Sequence, residues 1–176
     1  MWLAQSLRRT IVAIEPISAR HLIKYFWDAQ RYLGREGRWS VDPIHADIIE
    51  AVMQKIDQDV ANTVRRQVDH RYFFAWMSDG RINVFYFYDV KKIPLIADPE
   101  FANKLYRIEL FIDGKRHVAQ VTFYMGRIFS VELKIPRKSY KDKEYRVGVV
   151  TEGQPKDSFT KVIDRAAHGR ATETNP

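Results

Sequence analysis

No cysteine occurs in the 176-residue chain. That excludes a disulfide scaffold, a thiolate metal site, an iron–sulfur cluster and a cysteine nucleophile, and it fits a reducing compartment. Glycine is scarce, at eight residues, and never clustered. The chain therefore has no phosphate-cradling glycine loop, no dinucleotide fingerprint and no nucleophile elbow. The five histidines, at 21, 45, 70, 117 and 168, show neither the i, i+4 spacing of a helical metal site nor an HExxH run. His21 and His45 begin predicted helices, where a surface position is expected. No apolar run is long enough to span a bilayer. The charges of Met1–Arg9 follow a short apolar stretch, the reverse of a signal peptide. A cytoplasmic protein that needs no membrane is expected.

What the chain does have is aromatic residues, 13% of the total, and a formal charge of +7. The rings imply a large aromatic core or an aromatic binding face. The charge favours anionic partners without specifying a reaction. Length and balance suit one domain.

The patterning predicts an α+β fold, with N-terminal helices packed on an antiparallel meander of about five strands and a C-terminal helix. Apolar residues at 22, 23, 26, 27 and 33 fall on one face of a helix over Ala19–Leu33. Asp42-Pro43 opens a second helix, as cap and first helical residue. Its apolar series of Ile44, Ile48, Ile49, Val52, Met53, Ile56, Val60 and Val64 runs for more than five turns without a break. Strands are predicted over 72–77 and 82–88, joined at Asp79-Gly80, then over 105–112, 116–124 and 127–135, joined at Asp113-Gly114 and Met125-Gly126. Asp-Gly between β-rich runs is a strong hairpin signal. A further short strand over 145–150 fits the composition, and Ser158 caps a predicted final helix carrying Phe159, Val162, Ile163 and Ala166. Residues 1–167 read as the single domain and residues 168–176 as a disordered tail.

Three groups of residues could carry function. The hairpin residues Tyr72, Phe74, Trp76, Phe85 and Phe87, with Phe73, Tyr86 and Tyr88 between them, send rings to both faces. Any face left uncovered would be a binding surface. From Lys134 to Arg146, six basic residues stand against Asp142 and Glu144. Here Arg137, Lys138, Lys141 and Lys143 interleave with Tyr140 and Tyr145, a pattern able to grip a phosphate backbone and stack bases. The same lysines also suit a solvated loop beside a sheet edge that discourages strand addition, the commoner origin of such a run. The third group is Glu132 and Lys134, two apart on one strand face.

With Asp113, the Glu132-Leu133-Lys134 run resembles the Asp…Glu-x-Lys core of the PD-(D/E)xK nucleases. That resemblance implies Mg²⁺-dependent phosphodiester cleavage by Asp113, Glu132 and Lys134. Residues 110–133, and above all Gly126-Arg127-Ile128-Phe129-Ser130-Val131-Glu132, resemble the closing strands of small bacterial α+β proteins. Several of those are immunity partners of polymorphic toxins, which implies a binding protein without catalysis. The expected function is accordingly a non-catalytic protein-binding module, immunity- or adaptor-like, that uses no cofactor or metal. A nuclease and a nucleic-acid-binding protein are the alternatives.

Overall fold

A computed structural model describes residues 19–101 and 103–153. It is α+β, with three helices and one open, wholly antiparallel sheet. The helices are α1 (Ala19–Leu33), α2 (Pro43–Met53) and α3 (Gln58–Val68). The strands are β1 (Gly37–Arg38), β2 (Tyr72–Met77), β3 (Ile82–Phe87), β4 (Leu105–Ile112), β5 (Lys115–Tyr124), β6 (Arg127–Leu133) and β7 (Tyr145–Gly153). The sheet has seven strands, not five. The expected final helix at 158–166 and the expected tail lie outside the described residues.

Strand order is β1-β2-β3-β6-β5-β4-β7, so the sheet is not a simple meander. After the β2–β3 hairpin the chain crosses to β4 and returns through β5 to β6, which pairs with β3. This is a Greek-key connection. The three hairpin turns are as legible as expected. Asp79, Asp113 and Met125 take φ of 59°, 47° and 49°, each followed by a glycine at positive φ, the backbone that a tight right-twisted hairpin requires.

The second helix is a correction. Its apolar period continues without interruption, yet the helix stops at Met53 and restarts at Gln58. Asp57 accounts for the restart, because its carboxylate accepts from the N–H groups of Asp59 (2.8 Å) and Val60 (3.4 Å). A short acidic side chain that satisfies the backbone locally competes with continuing the helix. Asp57→Ala is expected to lower stability by about 1 kcal/mol, whereas Asp57→Asn retains most of it, as read from thermal midpoints.

The core lies on one face of the sheet. α2 covers β4, β5 and β7, and α3 covers β6. Ile93, Ile96 and Phe101 of the long connection fill the same layer. α1 lies on the opposite face, over the β1–β3 end. Its orientation overturns the expectation from its period: Lys24, Tyr25, Asp28 and Arg31 face the sheet. Lys24 donates to the Phe87 carbonyl at 2.7 Å, Tyr25 stacks on Tyr88 at 4.3 Å, and the Arg31 guanidinium lies over Phe73 and Tyr86. Buried Asp28 accepts the Tyr88 hydroxyl, which in turn accepts from the Trp39 indole N–H. Leu22, Ile23, Phe26, Trp27 and Leu33 point to solvent.

Candidate functional site

The fold resolves the aromatic hairpin directly. Tyr72, Phe74, Phe85 and Phe87, expected as binding anchors, occupy the core face and are buried. They pack edge-on with one another at centroid separations of 4.9–6.0 Å, apart from stacked Phe85 and Phe87. The outward ring of Phe73 is also buried, beneath Arg31 and Trp39. Of the five predicted anchors only Trp76, beside the β2–β3 turn, lines the surface cavity described next.

That cavity is a cleft of about 930 Å³, lined by Tyr32, Arg35, Arg38, Trp39, Trp76, Arg137 and Lys141, among others. Three stretches of chain distant in sequence build it. The first is the turn after α1, where Arg35 adopts a left-handed φ of 60°. The second is the end of β2. The third is the basic segment, held against the β2–β3 turn by a 3-10 turn at Arg137–Ser139. There the Arg137 N–H donates to the Asp79 carbonyl at 2.7 Å, and the Tyr140 hydroxyl donates to the Gly80 carbonyl at 2.8 Å.

Asp42 organises the cleft from beneath. It stands at the helix-cap position that the sequence predicts, yet its side chain makes no capping bond. Instead its carboxylate, almost fully buried, pairs with Arg38 at 2.8 Å and Arg137 at 3.2 Å. Both guanidiniums lie over the Trp76 ring, Arg137 at 3.9 Å and Arg38 at 5.1 Å from its centroid. Cation–π contact and an almost fully buried carboxylate thus fix two guanidiniums on one ring. Behind them sits His45, which is not at the surface as expected but completely buried, its ring edge-on to Phe74 and Tyr140. Burial lowers its pKa to about 4; Asp42 opposes the shift, and Arg137 and Arg38 reinforce it. Neither ring nitrogen has a hydrogen-bond partner.

No known protein family, curated protein or solved structure matches the chain.

The nuclease triad is not assembled. Asp113 lies exposed in the β4–β5 turn, paired with Lys143 at 3.0 Å. Glu132 pairs across the sheet with Gln120, five residues along β5 from Lys115 at that turn. At ~3.4 Å per residue the two carboxylates are about 17 Å apart along the strand, too far to share a Mg²⁺ ion. Glu132 is half-buried and accepts from Ser130 at 3.3 Å. Desolvation raises its pKa, opposed by that bond and by Lys134. Among the described residues no group of three or more histidine, aspartate or glutamate side chains could hold a metal ion.

The basic stretch divides in two. Arg137 and Lys141 line the cleft, whereas Tyr140 is a buried structural residue and Lys143 is engaged by Asp113. Lys138 is exposed on the 3-10 turn. Arg35, Arg38, Trp39, Asp42 and His45 were missed. Their one signal in the sequence is the crowding of two arginines and a tryptophan just ahead of Asp42-Pro43.

Among the described residues no helix is long and apolar enough to cross a membrane.

Proposed function

We propose that this chain is a non-catalytic, protein-binding module, adaptor- or immunity-like, and that its cleft accepts an acidic segment of the partner. The observation that carries this reading is the pair of guanidiniums, Arg38 and Arg137, fixed on Trp76 by buried Asp42. Arg35 and Lys141 add two more cations at the rim. A preorganised guanidinium pair suits carboxylates, because little side-chain freedom remains to be lost on binding. The aromatic faces argue against a single-stranded nucleic acid. Stacking needs a free ring, and here Trp76 lies under two guanidiniums while Trp39 packs against Tyr32 and Phe73.

The test uses two fluorescent probes read by anisotropy, an oligo-glutamate peptide and a single-stranded oligonucleotide of equal charge. The oligo-glutamate is expected to bind more tightly, and Arg35→Glu with Lys141→Glu to weaken it by roughly ten-fold or more, since like charges at a rim oppose association. Both positions are solvent-accessible, so the fold should tolerate reversal. Tighter oligonucleotide binding, lost in the same variant and falling steeply with salt, would hand the cleft to nucleic acid. If neither probe binds, the cleft is not a recognition site.

A further inference from the structure

α1 is mounted with its apolar stripe outward. Leu22, Ile23, Phe26 and Trp27 are 56–61% exposed, and Leu33 is 80% exposed. The stripe runs about 16 Å along the helix at ~1.5 Å per residue. An apolar patch of this kind on a soluble surface marks an interaction site. It is also continuous with the cleft, because Leu33 belongs to both. The whole surface is therefore apolar along its length and cationic at one end.

The distribution of charge selects the occupant. A lipid surface calls for cations flanking the apolar stripe, but Lys24 and Arg31 are turned onto the sheet, where they bind the Phe87 carbonyl and the rings of Phe73 and Tyr86. A second copy of the chain would match apolar stripe to apolar stripe, yet it would place nothing acidic over the cleft, and each copy carries +7. An elongated ligand of matching polarity satisfies both parts of the surface at once. Resting on the reading of the cleft as an acceptor of acidic protein segments, we propose that the α1 stripe and the cleft form one docking surface for an amphipathic helix of a partner protein. That helix is apolar along the face packed on Leu22, Ile23, Phe26 and Trp27, and acidic in the turn that lies over Arg35 and Arg38. Acidic residues belong in the first turn of such a helix, where they also complement its dipole.

Because the chain has no cysteine, Phe26→Cys introduces a unique thiol in the middle of the stripe. A polarity-sensitive dye attached there, in the full chain, reports whether the stripe is covered. One probe is a synthetic peptide of about four helical turns with leucines at helical spacing and glutamates in its first turn. A second peptide carries glutamine in place of those glutamates. The glutamate peptide is expected to shift dye emission to the blue saturably and to bind roughly ten-fold tighter than the glutamine peptide. Arg35→Glu with Lys141→Glu should abolish that difference. Equal binding of the two peptides would overturn the proposal. So would an unshifted dye under conditions where oligo-glutamate still binds, an outcome that leaves the cleft reading standing. If oligo-glutamate also fails to bind, both readings fall together. Three further results would overturn the helix by assigning the stripe another occupant. They are slow labelling of the thiol before any peptide is added (the chain's own residues), a blue shift that grows with protein concentration alone (a second copy), and a shift produced by anionic vesicles (a bilayer).

Discussion

Gln67→Ala is expected to lower the unfolding free energy by roughly 4 kcal/mol, although the residue touches no candidate site and ends an ordinary helix. Gln67 is completely buried in the last turn of α3. Its amide nitrogen donates to the Pro94 carbonyl at 2.7 Å and to the Gly126 carbonyl at 2.9 Å, and its amide oxygen accepts from the Ile128 N–H at 2.9 Å. One side chain thus ties α3 to the β3–β4 crossing and to the β5–β6 turn, beside the point where the register of that pair slips between Thr122 and Phe123. The Gly126 carbonyl keeps a bond from the Ile96 N–H at 3.0 Å, so truncation orphans chiefly Pro94 O and Ile128 N. An unsatisfied buried backbone group costs about 1–3 kcal/mol, and the cavity adds to it. In a domain of this size the thermal midpoint should fall by roughly 10 °C. Gln67→Glu keeps the acceptor but loses both donors and sets a carboxylate against two carbonyls, so it should not rescue. A urea titration in which Gln67→Ala costs under about 1 kcal/mol would show that water or a backbone shift replaces the amide.

Gln67 also marks where sequence reading stops. What depends on a few neighbouring residues was legible. The Asp79-Gly80, Asp113-Gly114 and Met125-Gly126 turns set the hairpins, and Asp42-Pro43 set the start of α2. What depends on distant residues was not. β1 is only two residues long, Gly37 and Arg38, and exists because it pairs with Ala75 and Phe74. A side chain at Gly37 would meet the Phe74 carbonyl at 2.5 Å, so the glycine is read correctly only once that neighbour is known. For α1, periodicity gave the stripe but not the direction it faces. Its polar face is buried because Asp28, Lys24 and Tyr25 each find a partner on Tyr88 or Phe87, some sixty residues away. The cleft is the same problem on a larger scale. Trp76, Arg137 and Lys141 could be named as candidates, but nothing in their spacing shows that they meet Arg38 over a buried aspartate.

That buried aspartate brings a pH dependence through the histidine behind it. His45 is neutral in the folded protein chiefly because burial strips water from the imidazolium; Asp42 attracts the charged form, and Arg137 and Arg38 repel it. Tyr140 and Phe74, its ring neighbours, offer no charge. In the unfolded chain the same ring titrates near 6.5. Between pH 6.5 and about 4 the unfolded state therefore binds the extra proton and the folded state does not. The contribution of His45 to stability is fully present above pH 6.5, declines as pH falls through that window, and levels off below about 4. A displacement of this size corresponds to about 3 kcal/mol across the window. Other carboxylates titrate near its lower end, so the decisive quantity is the difference between wild type and His45→Leu in urea midpoints at pH 7, 5.5 and 4. Leucine fills similar space and has nothing to protonate, and since neither imidazole nitrogen has a partner, no hydrogen bond is lost on replacement. The variant should match or exceed wild type at pH 7 and exceed it increasingly as pH falls. Parallel curves would mean that His45 gains its proton with a pKa close to that of the unfolded chain. The imidazolium would then lie beside Asp42 and compete for the carboxylate that holds Arg38 and Arg137 on Trp76, so the guanidinium pair would not be rigid and the cleft would lose its preorganisation.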